Sequence, residues 1–381
     1  MGVDVDRVLG LLKPEFQILE KGRKRQECVW RNQEVDYIPI SLGGADVPEL
    51  RNFPRYNFKE QFYDKQKMLA EQIWHLISTA RSKSDSQLAM RANMGAPFLA
   101  TVFGLEPMVF EDKMPWLKEH LSKGQIQGME IGDFEHIARL GLMPRTIEYM
   151  QYFKEKLGNN AFVYLPDTQG PFDLAHQIRG NEIFTDMHDD PSFVHHLMEL
   201  TTYVYIECSK VLKQAIGEKT DECYHNNACP YGFYLPNGGV RICEDTTVLL
   251  SPNLIREFVI PYTKKSLGAF GGGFIHFCGN GSHLIDLYME IEEVRGIELG
   301  NPELHNYDEV MGKIIKHGKV LCSGWPKRKG EKTKDYFRRM LEPLGGKRKS
   351  LILVPHGGEN SDWQDKEEII GLWRSMQEKG F

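Results

Sequence analysis

Gly273-Phe274-Ile275-His276-Phe277-Cys278-Gly279 is an apolar run that ends in a histidine, a cysteine and a glycine. The run is too short for a helix and is bounded by glycines, so it reads as a buried β-strand opening into a loop. Residues two apart on a strand share a face, so the His276 imidazole and the Cys278 thiol leave the strand end together. Both are ligands suited to zinc. The pair is expected to belong to a metal site; the plainer alternative is two unrelated residues at a strand end.

Working outward, similar short segments recur along the 381 residues: 37–42, 87–93, 161–166, 222–226, 273–278, 296–299, 319–323 and 350–355. Several end in Gly, Pro or Asn, as strands do where they pass into loops. Helical periodicity separates them, over 58–80, 133–157 (one helix or a pair), 191–215, 251–270, 303–316, 334–344 and 366–379. The segment from residue 251 opens Ser-Pro, an N-cap followed by proline at the first helical position. Eight strand–helix units predict an α/β fold, a single (β/α)8 TIM barrel, rather than an open doubly wound sheet. A dinucleotide-binding sheet is further disfavoured because Gly271-Gly272-Gly273 precedes a strand instead of following one. Residues 1–35 read as an N-terminal helical extension, and 230–240 as a β-hairpin insertion in the fourth βα loop. No linker divides the chain, so a single domain over 1–381 is expected.

A barrel of this kind places its chemistry at the C-terminal strand ends. Those ends read Gly43-Gly44, Asn93, Asp167, His225, His276 with Cys278, Asn301, Cys322 and His356. His356 would offer a third metal ligand, with Cys322 competing for that place or simply filling core. Glu298, two residues before Gly300, could complete the metal site, act in catalysis, or sit buried against an arginine such as Arg295. Asp167 is a candidate catalytic and substrate-binding carboxylate, or an Asx-turn residue. Asn93, His225, Asp245 and Tyr234 are the remaining candidate substrate contacts; Tyr231–Tyr234 could equally pack as a hairpin on the rim. A rival group, Cys223, His225, Cys229 and Cys243, lacks zinc-finger spacing.

The formal charge of −6 and the isolated basic clusters at 21–25 and 347–349 give no nucleic-acid-binding surface. No apolar run approaches the roughly 20 residues of a membrane span. Seven cysteines without a framework spacing read as reduced thiols. Together these features predict a soluble, cytoplasmic protein.

Several segments resemble the uroporphyrinogen decarboxylase-like superfamily. They are 33–40 (Gln-Glu-Val-Asp-Tyr-Ile-Pro-Ile), Gly170-Pro171-Phe172-Asp173-Leu174-Ala175 with Arg179-Gly180, and Glu244-Asp245 followed by Leu250-Ser251-Pro252. Pro261-Tyr262, Ile275–Asn280 and Gly357-Gly358-Glu359-Asn360 complete the pattern. The resemblance spans nearly the whole chain and implies an (α/β)8 barrel. True decarboxylases of the superfamily carry an Arg-Gln-Ala-Gly-Arg-Tyr element for substrate carboxylates; here the stretch reads Leu42-Gly43-Gly44-Ala45-Asp46-Val47. The zinc-dependent corrinoid methyltransferase branch, which includes methylcobamide:coenzyme M methyltransferases and O-demethylases, uses His-x-Cys and a distant Cys. His276 and Cys278 match the first two, and His356 stands at the third.

The resemblance therefore implies a zinc enzyme moving a methyl group between a small methylated substrate, such as a methoxy compound, or a thiol and a corrinoid. The chain has no Asp-x-His-x-x-Gly for cobalamin, since Pro191 follows Asp186-Met187-His188 where glycine belongs. The corrinoid is then expected on a partner protein. The alternatives are decarboxylation of an acidic tetrapyrrole, or a non-catalytic corrinoid-handling role. Nothing sets the oligomeric state, and a homodimer is compatible with the sequence.

Overall fold

The computed structural model describes residues 4–51, 53–226, 232–355, 363 and 365–378. Its strands are β1 (Ala89–Arg91), β2 (Pro107–Met108), β3 (Trp116–Leu117), β4 (Phe162–Tyr164), β5 (Cys223–His225), β6 (Phe233–Leu235), β7 (Val240–Cys243), β8 (Gly273–Phe277), β9 (Val294–Leu299), β10 (Val320–Ser323) and β11 (Leu351–Leu353). The architecture is mixed α/β, built on a five-stranded parallel sheet in the order β11-β10-β9-β8-β7. β1 and β4 form a separate parallel pair. Single parallel bridges extend the main sheet at both ends, Ile40 to Leu353 on β11 and Gln169 to Cys243 on β7. Helices separate the strands, as parallel pairing requires.

Period-two alternation gives the sheet two apolar faces of different character. Ile242, Ile275, Phe277, Ile297, Leu299, Leu321 and Leu353 turn toward the helices and join the large core with Leu267, Tyr288, Met311 and Trp373. Phe274, Val320, Cys322, Ile352 and Val354 form a second cluster on the opposite face. The N-terminal helix Phe16–Trp30 delivers Val29 and Trp30 into that second cluster. Trp30 lies so close to β9 that a Cβ at Gly296 would meet its ring at 2.7 Å. The expected N-terminal extension thus forms part of the core.

Two expectations need correction, the fourth strand and the hairpin after it. The segment 222–226 is not a strand of the parallel sheet: β5 pairs antiparallel with β6, Cys223 with Leu235 and His225 with Phe233. Only the β6 arm lies within the expected hairpin 230–240; the other arm is the expected fourth strand. The edge strand of the parallel sheet is instead β7, Val240–Cys243, which begins at the last residue of the expected hairpin. Gly238 and Gly239, which lead into β7, serve close packing. A Cβ at Gly239 would lie 1.7 Å from the Thr220 carbonyl oxygen, and one at Gly238 would lie 2.8 Å from Gly272.

Two long helices are broken. Asp64 ends Phe58–Tyr63 and caps Lys65–Ser82, its Oδ1 accepting the Gln66 and Lys67 N–H groups. The 251–270 segment splits at Val259, with Pro261 in the first turn of its second half. No helix among the described residues is long and apolar enough to cross a membrane.

Candidate metal centre and adjoining cavities

Register brings the key side chains level. Cys243 on β7 pairs with His276 on β8, and His276 pairs with Glu298 on β9. Neighbouring strands lie about 4.8 Å apart, so three reactive groups stand in a row on one face. Two positions back, Arg241 pairs with Phe274. Ligand atoms of Cys243, Asp245 and His276 lie within 4.8 Å of one another. The Cys278 Sγ lies 3.4 Å from His276 Nε2, and the Cys278 N–H donates to Asp245 Oδ1 at 2.6 Å.

The other ring nitrogen faces a carboxylate. His276 Nδ1 lies 3.2 Å from Glu298 Oε2, and Arg241 Nε donates to the same oxygen at 3.2 Å. Burial pushes the Glu298 carboxyl up, but His276 and Arg241 outweigh it and hold it at about 2. At 3.2 Å His276 Nδ1 and Glu298 Oε2 lack hydrogen-bond geometry, but the carboxylate's charge favours a proton on Nδ1 and leaves Nε2 facing outward as the ligand atom. The arrangement therefore fits a cation at Nε2, with Cys243, Asp245 and Cys278 as the surrounding donors. Burial, followed by the Asp245 charge, raises the Cys278 thiol to about 12. Burial likewise lifts Cys243 well above its usual range. A metal would have to displace both thiol protons on binding.

The loop that carries Asp245 is fixed by Asp173, in the first turn of the helix Pro171–Arg179. The Asp245 and Thr246 N–H groups each donate to the Asp173 carboxylate at 2.7 Å. Below it, Glu244 is fully buried and accepts from Thr263 Oγ1 at 3.1 Å. Burial and then the Asp173 charge push the Glu244 carboxyl well up.

Asp167 links this centre to a second region. Its carboxylate lies 3.6 Å from Arg241 and 3.6 Å from Arg91, at the end of β1. Burial raises it, but the two guanidiniums prevail and hold it below the ordinary carboxylate range. A buried chain of alternating charge thus runs Arg91–Asp167–Arg241–Glu298–His276 across four strands and the loop after β4. A cavity of about 340 Å³ opens over its inner end, lined by His276, Cys243, Asp245, Arg241 and Asp167. A larger one of about 800 Å³ lies at the outer end, against Arg91, Asn93 and Tyr164.

The remaining expected site residues are scattered. Asn93 lines the larger cavity. His225 is buried, its ring tilted against Tyr164 at 4.9 Å and edge-on to Phe274 at 5.6 Å. Burial pushes its pKa well down. Tyr234 faces elsewhere: its hydroxyl donates to Glu222 at 2.9 Å and Arg23 lies over its ring. Cys322 follows Leu321, which pairs with Ile297, so it is level with Glu298. It packs among Val320, Ile352 and Val354. His356 lies outside the described residues, as does Cys229 of the rival cluster. Arg295, the suggested partner of Glu298, instead donates to backbone oxygens of Asn237, Glu292 and Gly271. Arg91, Arg241 and Asp173 are not among the residues that the sequence singles out for the site; the Val-Arg-Ile-Cys alternation of β7 is the signal for Arg241.

No protein-family model matches the chain, and no curated protein matches it. Among solved structures, the chain is similar to a methyltransferase from Methanosarcina mazei, with a TM-score of 0.67 and 14% identity. The similarity covers 93% of this chain and 98% of that one. At that identity the two proteins share a fold along nearly their whole lengths.

Proposed function

We propose that the protein is a zinc-dependent methyltransferase acting with a corrinoid carried by a partner protein. The observation that carries the reading is the His276 centre: an imidazole backed by Glu298, with Cys243, Asp245 and Cys278 around its free nitrogen. The fold shared with a methyltransferase agrees with it. The barrel reading belongs here too. Parallel pairings run from Ile40 through β11 to β7 and on to Gln169, and join β1 to β4, an order that is compatible with a (β/α)8 ring.

His276 Nε2 and the Cys278 and Cys243 thiolates would hold the zinc, with Asp245 or His356 as a further donor. Zinc bound there would supply Lewis acidity toward a substrate thiol or ether oxygen. The chain's own part is positional. Glu298 stands 3.2 Å behind the imidazole Nδ1, Arg241 keeps Glu298 ionised, and Asp173 fixes the loop bearing Asp245. Asp167, lining the smaller cavity beside His276, is held ionised and can accept a proton or hydrogen bond from substrate.

Zinc analysis of protein purified without chelator tests this reading, together with spectroscopic detection of methyl transfer to or from a corrinoid protein. About one zinc per chain is expected, lost in His276→Ala and Cys278→Ala. A wild type that neither contains nor takes up zinc refutes it.

A further inference from the structure

Gly279 follows Cys278 where the chain leaves β8, and side chains from another loop take both of its backbone polar groups. Its N–H donates to Asn301 Oδ1 at 2.9 Å, and its carbonyl oxygen lies 3.2 Å from His305 Nε2. Asn301 and His305 flank the short helical turn Pro302–Leu304 that follows β9. A carbonyl only accepts, so the ring proton sits on Nε2, and Nδ1 accepts from the Ser282 hydroxyl at 3.1 Å. Burial pushes the His305 pKa down, which keeps the ring in that neutral form. The ring stands edge-on to Phe277, their centroids 6.0 Å apart. The His305 carbonyl in turn accepts from Trp325 Nε1, in the loop after β10, at 2.9 Å.

This grip falls where the chain has little stiffness of its own. Gly279 has φ +84°, a conformation natural to glycine, and glycine is the least restrained residue. On the near side of the thiol, the Cys278 N–H is fixed to Asp245 Oδ1. On the far side, Asn301 and His305 fix Gly279. Between these anchors the Cys278 Sγ stands 3.4 Å from His276 Nε2, over Gly300, where a Cβ would come within 2.5 Å of the sulfur. We infer that His305, together with Asn301, is a positioning residue that holds the Cys278 thiol beside His276 Nε2, acting through the Gly279 backbone.

The chemical purpose of the clamp rests on the zinc reading; its existence is tested without metal. The metal-free full chain is treated with iodoacetamide, and the modified peptides are followed by mass spectrometry. His305→Ala and Asn301→Ala should each be alkylated at Cys278 about fivefold faster than wild type, as loss of one hydrogen bond allows. The half-buried Cys28, on the N-terminal helix, should keep its rate. His305→Gln, whose amide N–H falls near the Nε2 position, should return to within about twofold of wild type, and the shorter His305→Asn should not. In cobalt(II)-loaded protein, His305→Ala should bind the ion about tenfold more weakly and lose sulfur-to-cobalt charge-transfer absorbance. Equal Cys278 rates in wild type, His305→Ala and Asn301→Ala overturn the inference, as does a His305→Gln protein no slower than His305→Asn. Should His305→Ala not fold by circular dichroism, Asn301→Ala and the comparison of His305→Gln with His305→Asn decide. A wild type that takes up no cobalt refutes the zinc reading, while the alkylation ratios still judge the clamp.

Discussion

On the sheet face that carries His276, strands β7 to β9 present Arg241, Cys243, His276 and Glu298. Beside them, β10 and the β11 segment present Val320, Cys322, Ile352 and Val354. The strands are parallel and adjacent, and apart from a register shift at Gly273–Phe274 their pairing is regular in both halves. The ionic half holds itself together only through mutual pairing, because each charge is buried and would be costly alone. The apolar half is held by packing and tolerates changes that keep volume. A cysteine in one half therefore stands among candidate metal donors, and a cysteine in the other is filler.

The sharpest way to break that contrast is to remove its central cation. Arg241→Met leaves Glu298 with His276 and the part-buried Asp167 with Arg91 as their ion-pair partners, and urea denaturation should show a loss of about 3 kcal/mol. A loss near zero would mean the ionic half is not coupled.

Next comes Gly300→Ala. A Cβ there would sit 2.5 Å from the Cys278 Sγ and 3.2 Å from His276 Cε1. Overpacking should cost about 1–3 kcal/mol, and zinc affinity should fall about 10-fold as the thiol is displaced. Unchanged zinc binding in competition with a chromogenic chelator would remove Cys278 from the centre.

A smaller effect follows from acid. Asp167 has a folded pKa below its ordinary value, so it stabilises the fold above the unfolded pKa. That contribution drains away as pH falls through the folded value. Asp167→Asn should flatten the acid limb of the stability–pH curve; an unaltered limb would show that its pairing with Arg91 and Arg241 contributes nothing.

The least perturbing change should be Cys322→Val, within about 1.5 kcal/mol of wild type in denaturation midpoint terms and with zinc content unchanged. Lost zinc there would extend the metal centre into the apolar half and dissolve the distinction.

The alternation of apolar and helical segments made the α/β class legible in the sequence, because strand and helix periods are local properties of a chain. Phe274-Ile275-His276-Phe277 carried enough pattern to put His276 and Cys278 at one strand end. The misplacement of the fourth parallel strand has an equally physical origin. The 222–226 and 240–243 segments have similar strand character, and only their partners distinguish an antiparallel hairpin arm from a sheet edge. Glycines at 238–239 look the same whether they make a turn or admit a neighbouring backbone.

Chemistry-bearing residue types at strand ends were visible one by one, but their company was not. That Glu298 stands behind His276 rather than against Arg295, that Cys243 is level with it, and that Tyr234 turns away to Glu222 follow from register across strands far apart in sequence. The buried chain from Arg91 to His276 joins residues 91, 167, 241, 298 and 276. Local sequence determines which side chains a strand can offer to a face. Long-range pairing and the exclusion of water decide which of them meet as charges, and hence what they can bind.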